Sequence, residues 1–217
     1  WVRNNQVFAI AEVGNTIVVG GSFTQVQNPT GGATLTRNYL FAFNEATGQV
    51  STTFVPTLNG VVNGLAPAAD GTSVYVGGSF TIVNGTAQRG VTKLDVATGQ
   101  RDASFVARTN ATVNDVVLNN GRLYLGGFFT TVNNVGRQYL AGVDALSGAL
   151  LAGPNSTIGV PFAGTTRVAK IDVDPAGNRL VAIGGFTVVD GLGRSQIAQW
   201  DLSGSDASLS SWATSSF

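Results

Sequence analysis

The chain has 217 residues, of which 43% are hydrophobic and 11% are charged, and 12 basic residues balance 12 acidic ones. This composition is typical of a folded globular protein and excludes intrinsic disorder. Because the net charge is zero, we expect no nucleic-acid partner and no attraction to an anionic membrane surface. Cysteine and histidine are absent, which excludes disulfides, the usual zinc ligands and catalysis by Cys-His or Ser-His pairs.

The polar composition also indicates where the protein works. Glycine is abundant, with 29 residues and no collagen-like period, and this predicts many turns. Lys93 and Lys170 are the only lysines, and a lysine-poor surface rich in Asn, Thr and Ser favours an extracellular or cell-surface location. No uninterrupted apolar run reaches the ~18 residues that a membrane span needs, so we expect no membrane insertion.

One motif occurs four times along the chain. Each copy contains two short sequence anchors. The first is a β-branched run that leads into glycine and then Phe-Thr. The second consists of an arginine, a short apolar stretch, Asn or Asp, and a turn glycine. The first anchors are TIVVGGSFT, SVYVGGSFT, RLYLGGFFT and RLVAIGGFT, with Phe23, Phe80, Phe129 and Phe186. The second anchors contain Arg37, Arg89, Arg137 and Arg194, then Asn44, Asp95, Asp144 and Asp201, then Gly48, Gly99, Gly148 and Gly204. Two anchors in the same order indicate a repeat protein.

The repeats predict the elements in chain order. Their approximate ranges are residues 7–60, 61–111, 112–167 and 168–217. Repeat two illustrates the pattern, with strands predicted at residues 61–66, 73–77, 91–95 and 101–106 between Asp-Gly and Asn-Gly turns. No run keeps a helical period for more than about 10 residues, so helices should be nearly absent.

A unit of four strands cannot bury both of its faces alone, and radial stacking of such units solves this problem. We therefore predict an all-β fold, a β-propeller built of four-stranded antiparallel blades. A β-helix would need shorter coils and ranks second, and a sandwich would not explain four copies of one motif. The glycine before Phe-Thr should permit a bulge or a close approach of backbones, and the phenylalanine should fill the space between blades. The repeated Arg and Asp should fix loops by charge-assisted hydrogen bonds.

The segment SVYVGGSFTIVNGTAQRGVTKLDVATGQRDASF resembles the delta-sixty repeat, a β-propeller repeat of bacterial extracellular and surface proteins. The resemblance covers nearly the whole chain, although repeats one and four lack the Asp-x-x-Phe ending and repeat four has one residue fewer at the glycine pair. The family implies secretion and a propeller, and it supplies no shared catalytic residues.

Four repeats leave the closure of the ring open, because propellers typically have four to eight blades. Trp1 and the tail ASLSSWATSSF interrupt a continuing repeat pattern, so we expect the chain to form part of a larger ring. Further blades of a longer chain or a second copy in a homodimer would complete that ring. A ring of four blades that closes alone is the alternative.

Candidate ligand-binding residues come from departures from the repeat. The aligned first strands place Ala9, Gly64, Asp115 and Lys170 in one column, and Ala11, Ala66, Val117 and Asp172 in another. Asp115, Lys170 and Asp172 are the polar departures, so we predict that they face a binding site on the propeller axis. The alternative is that Lys170 pairs with a carboxylate in a solvated channel. Trp212 is the fourth candidate, because its ring could stack on a sugar, whereas Trp200 should be structural.

Two chemical alternatives were weighed for the acidic residues. Asp172, Asp174 and Asn178 in DVDPAGN resemble part of a calcium loop, but the later bidentate glutamate is missing, so we predict a β-turn there and no metal or cofactor. Asp115 and Asp172 could act as acid and nucleophile on a glycoside if they lay about 5 to 10 Å apart. We predict no catalytic residues.

The leading functional hypothesis is a non-catalytic extracellular module that binds a glycan or a protein at a cell surface. The loops at residues 28–36 and 153–166, which differ most between repeats, are the first candidates for the binding surface. A rigid scaffold within a larger surface protein is the second hypothesis. A carboxylate-based glycoside hydrolase or lyase is the third.

Overall fold

A computed structural model describes residues 1–160, 164–204 and 206–213. Strands are the only regular secondary structure in these ranges, which confirms the predicted all-β class. The chain divides into two compact units, Trp1–Phe105 and Val106–Phe217. The N-terminal unit contains repeats one and two, and the C-terminal unit contains repeats three and four.

The strands are short and follow the repeats. Repeat one has β1 (Val7–Val13), β2 (Thr16–Gly21), β3 (Gln25–Val26), β4 (Leu35–Thr36) and β5 (Leu40–Asn44). Repeat two has β6 (Val62–Pro67), β7 (Ser73–Gly78), β8 (Ile82–Val83), β9 (Thr86–Ala87) and β10 (Val91–Asp95). Repeat three has β11 (Val113–Asn119), β12 (Arg122–Gly127), β13 (Thr131–Val132), β14 (Val135–Gly136), β15 (Leu140–Asp144) and β16 (Ile158–Gly159). Repeat four has β17 (Val168–Val173), β18 (Arg179–Gly184), β19 (Val188–Val189), β20 (Leu192–Gly193), β21 (Ile197–Asp201) and β22 (Ser208–Leu209).

Each repeat has a main antiparallel sheet whose second strand lies in the middle. The sheet orders are β1-β2-β5, β6-β7-β10, β11-β12-β15 and β17-β18-β21-β22. The middle strand carries the β-branched run and the glycines, and β7 is buried along its whole length. This is the strand for which β-branched and aromatic side chains are best suited, because it has neighbours on both edges.

The predicted fourth strand is present as a strand in repeat four only, among the described residues. In repeat two, the prediction of a strand at residues 101–106 is wrong, because a single bridge between Leu94 and Arg101 is formed there. The main chain then turns, since Asp102 accepts hydrogen bonds from the amide and the hydroxyl of Ser104. The turn directs Phe105 into the core, where its ring centroid lies 5.4 Å from that of Tyr75.

A small hairpin between the second and third main strands was not predicted. It comprises β3-β4, β8-β9, β13-β14 and β19-β20 in the four repeats. In repeat two the turn is formed by Asn84 and Gly85, both with positive φ, which is the geometry that Asn-Gly favours in a two-residue hairpin. The chain just before each repeat pairs with this hairpin, through Val2 to Val26, Leu58 to Val83, Thr109 to Val132, and Ile158 to Val189.

The glycine before Phe-Thr has the predicted role of accommodating a bulge. In every first strand the register shifts by one residue opposite the glycines, between Val7 and Ala9 in repeat one and at the equivalent positions in the others. A Cβ atom at Gly21 would collide with the carbonyl oxygen of Gln6, and one at Gly127 with that of Thr112. The second strand therefore needs glycine where the bulged strand comes close.

Successive repeats within each unit pack against each other at the glycine that lies one residue earlier in the middle strand. A Cβ atom at Gly20 would collide with Val62, the first residue of β6. A Cβ atom at Gly126 would lie 2.6 Å from Val168 Cγ1 and 3.1 Å from Ile171 Cγ2. In both units, the first strand of one repeat thus packs directly on the bare backbone of the repeat before it.

The anchor phenylalanines Phe23, Phe80, Phe129 and Phe186 are all fully buried. Phe80 joins a core cluster with Val62 and Leu58 in the N-terminal unit. Phe186 joins one with Trp200 and Val168 in the C-terminal unit. The four phenylalanines therefore belong to the core, and the prediction that they fill the space between propeller blades stays a prediction.

Three of the repeated arginines and Asp144 fix loops, as predicted; the arginines bind main-chain carbonyls, and the aspartate binds an amide and a hydroxyl. Arg137 donates from Nη1 to Gly136 and from Nη2 to Leu151 and Ala152, and Arg37 and Arg194 bind equivalent carbonyls. Asp144 accepts from the amide and hydroxyl of Ser147. These bonds hold the pKa of the Asp144 carboxyl below its ordinary value.

Replacing Gly127 with alanine should lower the free energy of unfolding of the C-terminal unit by about 1–3 kcal/mol, because the added methyl group overpacks the bulge. Gly136→Ala in the same repeat is the matched control, since a Cβ atom there meets nothing within 4 Å. That control should change stability by less than about 0.5 kcal/mol. Chemical denaturation measures both variants, and equal effects would contradict this role of Gly127.

Candidate functional site

The predicted loop at residues 28–36, formed by the insertion in repeat one, ends in strand β4 (Leu35–Thr36), and its first residues contact the end of the main sheet. The side-chain oxygen of Asn28 accepts a 2.8 Å hydrogen bond from the Val50 amide. Pro29 lies beside Gly48, where a Cβ atom would be 3.1 Å from Pro29 Cγ. The loop closes on itself through a bond from the Gly31 amide to the Asn28 carbonyl. The insertion therefore builds an ordered wall at this corner of repeat one.

A polar groove of about 520 Å³ lies on one side of this wall. Its lining consists of Thr16, Asn28, Phe43, Asn44, Gln49, Val50, Ser51, Thr52, Thr53, Val96 and Ala97. No charged side chain belongs to the lining. Asn44 is committed to the turn, since its Oδ1 accepts from the amide and hydroxyl of Thr47. The side chains of Gln49 and Thr52 have no hydrogen-bond partner among the described residues, so their donors and acceptors are available to a ligand.

A second, apolar groove of about 390 Å³ includes Pro29 of the same loop. Its lining consists of Trp1, Val2, Val7, Ile10, Val19, Pro29, Phe41, Phe43, Gly48 and Val50. Phe43 and Val50 line both grooves. The sequence predicted the loop as a binding surface but not the strand residues beside it. The equivalent positions of the other repeats also have apolar or turn residues, so these residues do not stand out in an alignment of the repeats.

Asp115 and Lys170, two predicted binding residues, contact each other. Asp115 Oδ1 lies 3.5 Å from Lys170 Nζ, and Oδ2 accepts a hydrogen bond from the Ile171 amide at 3.1 Å. The Asp115 side chain is 15% exposed and that of Lys170 is 54% exposed. Burial raises the pKa of the Asp115 carboxyl, and the Ile171 amide and Lys170 ammonium only partly oppose this effect. The pair is the arrangement that the alternative interpretation described.

Asp172 is exposed, and its carboxylate accepts a hydrogen bond from the amide of Val173. In the adjoining DVDPAGN segment, Asp174 accepts from the amides of Asn178 and Arg179. The segment is thus the turn between β17 and β18, as predicted. Within the described ranges, no three His, Cys, Asp or Glu side chains cluster in a way that could hold a metal ion.

The tryptophans occupy different environments. Trp200 is fully buried, and its indole N–H donates to the hydroxyl of Ser156 at 2.8 Å, so its predicted structural role is confirmed. Trp212 is exposed, which keeps it available for stacking, but neither groove includes it. Trp1 is exposed and lines the apolar groove.

The second predicted loop, residues 153–166, is only partly a loop. Its residues Ile158–Gly159 form β16, which pairs with β19. The Thr157 amide donates to the carboxylate of Asp190, and the Ser156 hydroxyl is the partner of Trp200. The segment therefore supports the hairpin and core of repeat four. Residues 161–163 of this predicted loop lie outside the described residues.

A charge cluster that the sequence did not reveal lies in repeat two. Lys93 is buried on β10, and its Nζ lies 2.9 Å from Asp70 Oδ2 and 3.4 Å from Asp102 Oδ2. The ammonium group also lies 5.9 Å from the centroid of the Tyr75 ring. The equivalent residues in the other repeats are Ala42, Gly142 and Gln199. This departure from the repeat could have been found by aligning the third strands.

The pKa values of the two carboxyls reflect this arrangement. Partial burial opposes ionisation of Asp70, but hydrogen bonds from Thr72, Lys93 and Ser73 hold its pKa well below the ordinary value. For Asp102, the hydroxyl of Ser104 lowers the pKa most, and Lys93 adds to the effect. The cluster is therefore ionised over the whole physiological range and ties three segments of repeat two together.

Comparison with known proteins gives a likeness of fold to solved structures. No protein-family model matches the chain, and no curated protein matches it. A crystal structure described as the extracellular domain of a one-component system from B. thetaiotaomicron is similar in fold, with a TM-score of 0.54 and 12% sequence identity. The likeness covers 97% of this chain and 23% of that one, so this chain spans about a quarter of the other's length. No helix among the described residues is long and apolar enough to cross a membrane.

Acid should destabilise the N-terminal unit through Asp70 and Asp102. Because their pKa values are lower in the folded than in the unfolded chain, they stabilise the fold above about pH 4, and this contribution is lost as the pH falls further. Asp70→Asn should lower the free energy of unfolding near neutral pH by about 1 kcal/mol, after allowance for solvent screening. Its further loss in acid should be smaller than that of the wild type.

Urea denaturation at neutral and acidic pH measures these differences. Asp172→Asn is the matched control, because Asp172 is exposed and forms no ion pair with the part of the chain that the structure describes. An acid-induced loss of stability that is as large in Asp70→Asn as in the wild type would contradict the role of the cluster.

Proposed function

We propose that the chain is an extracellular, non-catalytic recognition module of the delta-sixty type, a β-propeller segment that binds a neutral glycan in the polar groove of repeat one. The observation that carries the proposal is the lining of that groove. Its lining combines amide and hydroxyl side chains with the aromatic ring of Phe43 and includes no charged side chain among the described residues.

The propeller arrangement is supported by the packing inside each unit. β1 contacts β6 in the N-terminal unit, and β11 contacts β17 in the C-terminal unit. The first strands of consecutive repeats thus lie beside each other, while the hairpins come from the other end of each repeat. Lateral contact between equivalent strands is the geometry of blades stacked around an axis.

The choice of ligand follows from the chemistry of the groove. Sugar hydroxyls both donate and accept hydrogen bonds, and the amide of Gln49 and the hydroxyl of Thr52 can do the same. Phe43 supplies an apolar surface against which the C–H face of a sugar ring can pack. An ionic ligand would find no counter-charge in the lining, so a neutral glycan fits better than an acidic or basic one.

The extracellular location is supported by the structural neighbour and by the composition. The neighbour is an extracellular domain, and the chain is rich in Asn, Thr and Ser with Lys93 and Lys170 as its only lysines. The predicted axial residues contribute less to the proposal, because Asp115 is committed to Lys170 and to a main-chain amide.

A protein ligand is the second candidate, and the apolar groove favours it. Trp1, Val7 and Ile10 are exposed there, and exposed apolar patches of this kind mark protein interfaces. A module that acts only as a rigid scaffold would bind in neither groove.

The glycan proposal is tested by an array of neutral and charged glycans with the full chain. We expect binding of neutral glycans, and Gln49→Ala should weaken it about tenfold, because a neutral hydrogen bond contributes about 1 kcal/mol or slightly more. Gln100→Ala is the matched control. Gln100 occupies the same position after the turn of repeat two, with the same main-chain bonds, and it does not line the groove.

Two outcomes would contradict the proposal. A folded chain that binds no glycan on the array would remove the glycan hypothesis and leave the protein-binding and scaffold alternatives. Equal affinity of the wild type and Gln49→Ala would show that the polar groove is not the site.

A further inference from the structure

The exposed face of β1 differs from the equivalent face of the other first strands. The first residue of each of these strands is a valine, and Val62, Val113 and Val168 are fully buried. Val7 in repeat one is 47% exposed. Three residues further on, Val116 and Ile171 are buried, whereas Ile10 is 65% exposed. The side chains that are covered in later repeats are thus uncovered in repeat one.

In both units, the equivalent face of a first strand is covered in the same way. Val62 and Leu65 pack on Gly20, where any Cβ atom would collide with Val62. Val168 and Ile171 pack on Gly126 in the same way. The covering surface is therefore a middle strand that has glycine, with no side chain, at the point of contact. Burying the two apolar residues against this backbone removes them from water.

The uncovered face is continuous with the apolar groove. Val7 and Ile10 line that groove together with Trp1 and Phe41. Exposed apolar side chains on a sheet, at positions that make contacts between repeats elsewhere in the chain, have the properties of an interface. Its chemistry specifies the partner, which is a second sheet with a bare glycine strand.

Repeat four does not offer such a strand. Glycine occurs at the contact position in repeats one, two and three, as Gly20, Gly77 and Gly126, and Ile183 takes its place in repeat four. Ile183 lies on β18 and is 45% exposed. A branched side chain here would occupy the space that the valine of a following repeat needs, as the collision at Gly20 indicates.

We propose that the β1 face, formed by Val7 and Ile10, binds a β-sheet repeat of the same type that keeps glycine at the contact position, and that Ile183 prevents repeat four from being this partner. The proposal goes beyond glycan recognition and does not depend on the polar groove. It predicts that the occupant is another glycine-bearing repeat, and not the repeat-four face of a second copy.

The experiment turns repeat four into the missing partner. The probe is the full chain with Ile183→Gly, which also carries Val7→Asp and Ile10→Asp so that it cannot associate with itself. Sedimentation velocity of this probe mixed with the wild-type chain should detect a heterodimer. Its affinity should be at least about tenfold higher than that of the heterodimer formed by a matched probe that retains Ile183, because the overpacking penalty is removed.

The controls make the result specific. A partner chain with Val7→Asp and Ile10→Asp should not bind the probe, and both positions are exposed, so its thermal transition should match that of the wild type. If Ile183→Gly does not fold, Ile183→Ala compared with Ile183→Val makes the same test, with binding expected for alanine alone. Absence of binding by a folded small-residue probe would overturn the proposal. Equal binding by the probe that retains Ile183, or binding that survives the aspartate substitutions, would also overturn it.

Discussion

The contact between a bare glycine strand and the first strand of the next repeat is the constraint on which the rest of each unit depends. At Gly20 and Gly126 the backbone is close enough to the following valine that no side chain fits between them. The next glycine in the strand faces the bulge of its own first strand. Two adjacent glycines therefore set both the spacing inside a sheet and the spacing between sheets.

Because the glycine contacts fix the spacing of the sheets, the loops at the ends of the sheets can vary. The hydrogen bonds of Arg137 and Asp144 to main-chain groups hold the turns of repeat three without any contribution from the loops. Repeat one has the same frame with an insertion at residues 28–36, and Asn28 and Pro29 of this insertion line a polar and an apolar groove respectively. Recognition surfaces can thus be added to one repeat while the spacing of the sheets is unchanged.

The sequence predicted the parts of the fold that are repeated and local. The anchor phenylalanines, the bulge at the glycines and the all-β class all followed from one motif, because each depends on a few adjacent residues. The fourth strand was wrong in repeat two, since the Asp102 turn to Ser104 ends the pairing after one bridge. The hairpin at Asn84 was also missed, although Asn-Gly is a strong local signal for such a turn.

The candidate site was predicted less completely, because its residues meet only in three dimensions. The loop at residues 28–36 was selected for its irregular length, but Gln49 lies in a turn that every repeat shares. Asp115 and Lys170 were selected as departures from the repeat, and they contact each other. Lys93 is the stronger departure and was overlooked, because its two carboxylate partners come from distant segments.

A double-mutant cycle on Gly20 and Val62 tests the glycine contact most directly. Gly20→Ala alone should destabilise the N-terminal unit by about 1–3 kcal/mol through overpacking. In a Val62→Ala background the same change should cost less, because Val62 Cγ1, the atom with which the collision is most severe, is gone, giving a coupling energy of about 1 kcal/mol or more. Additive effects of the two substitutions in urea denaturation would contradict the account.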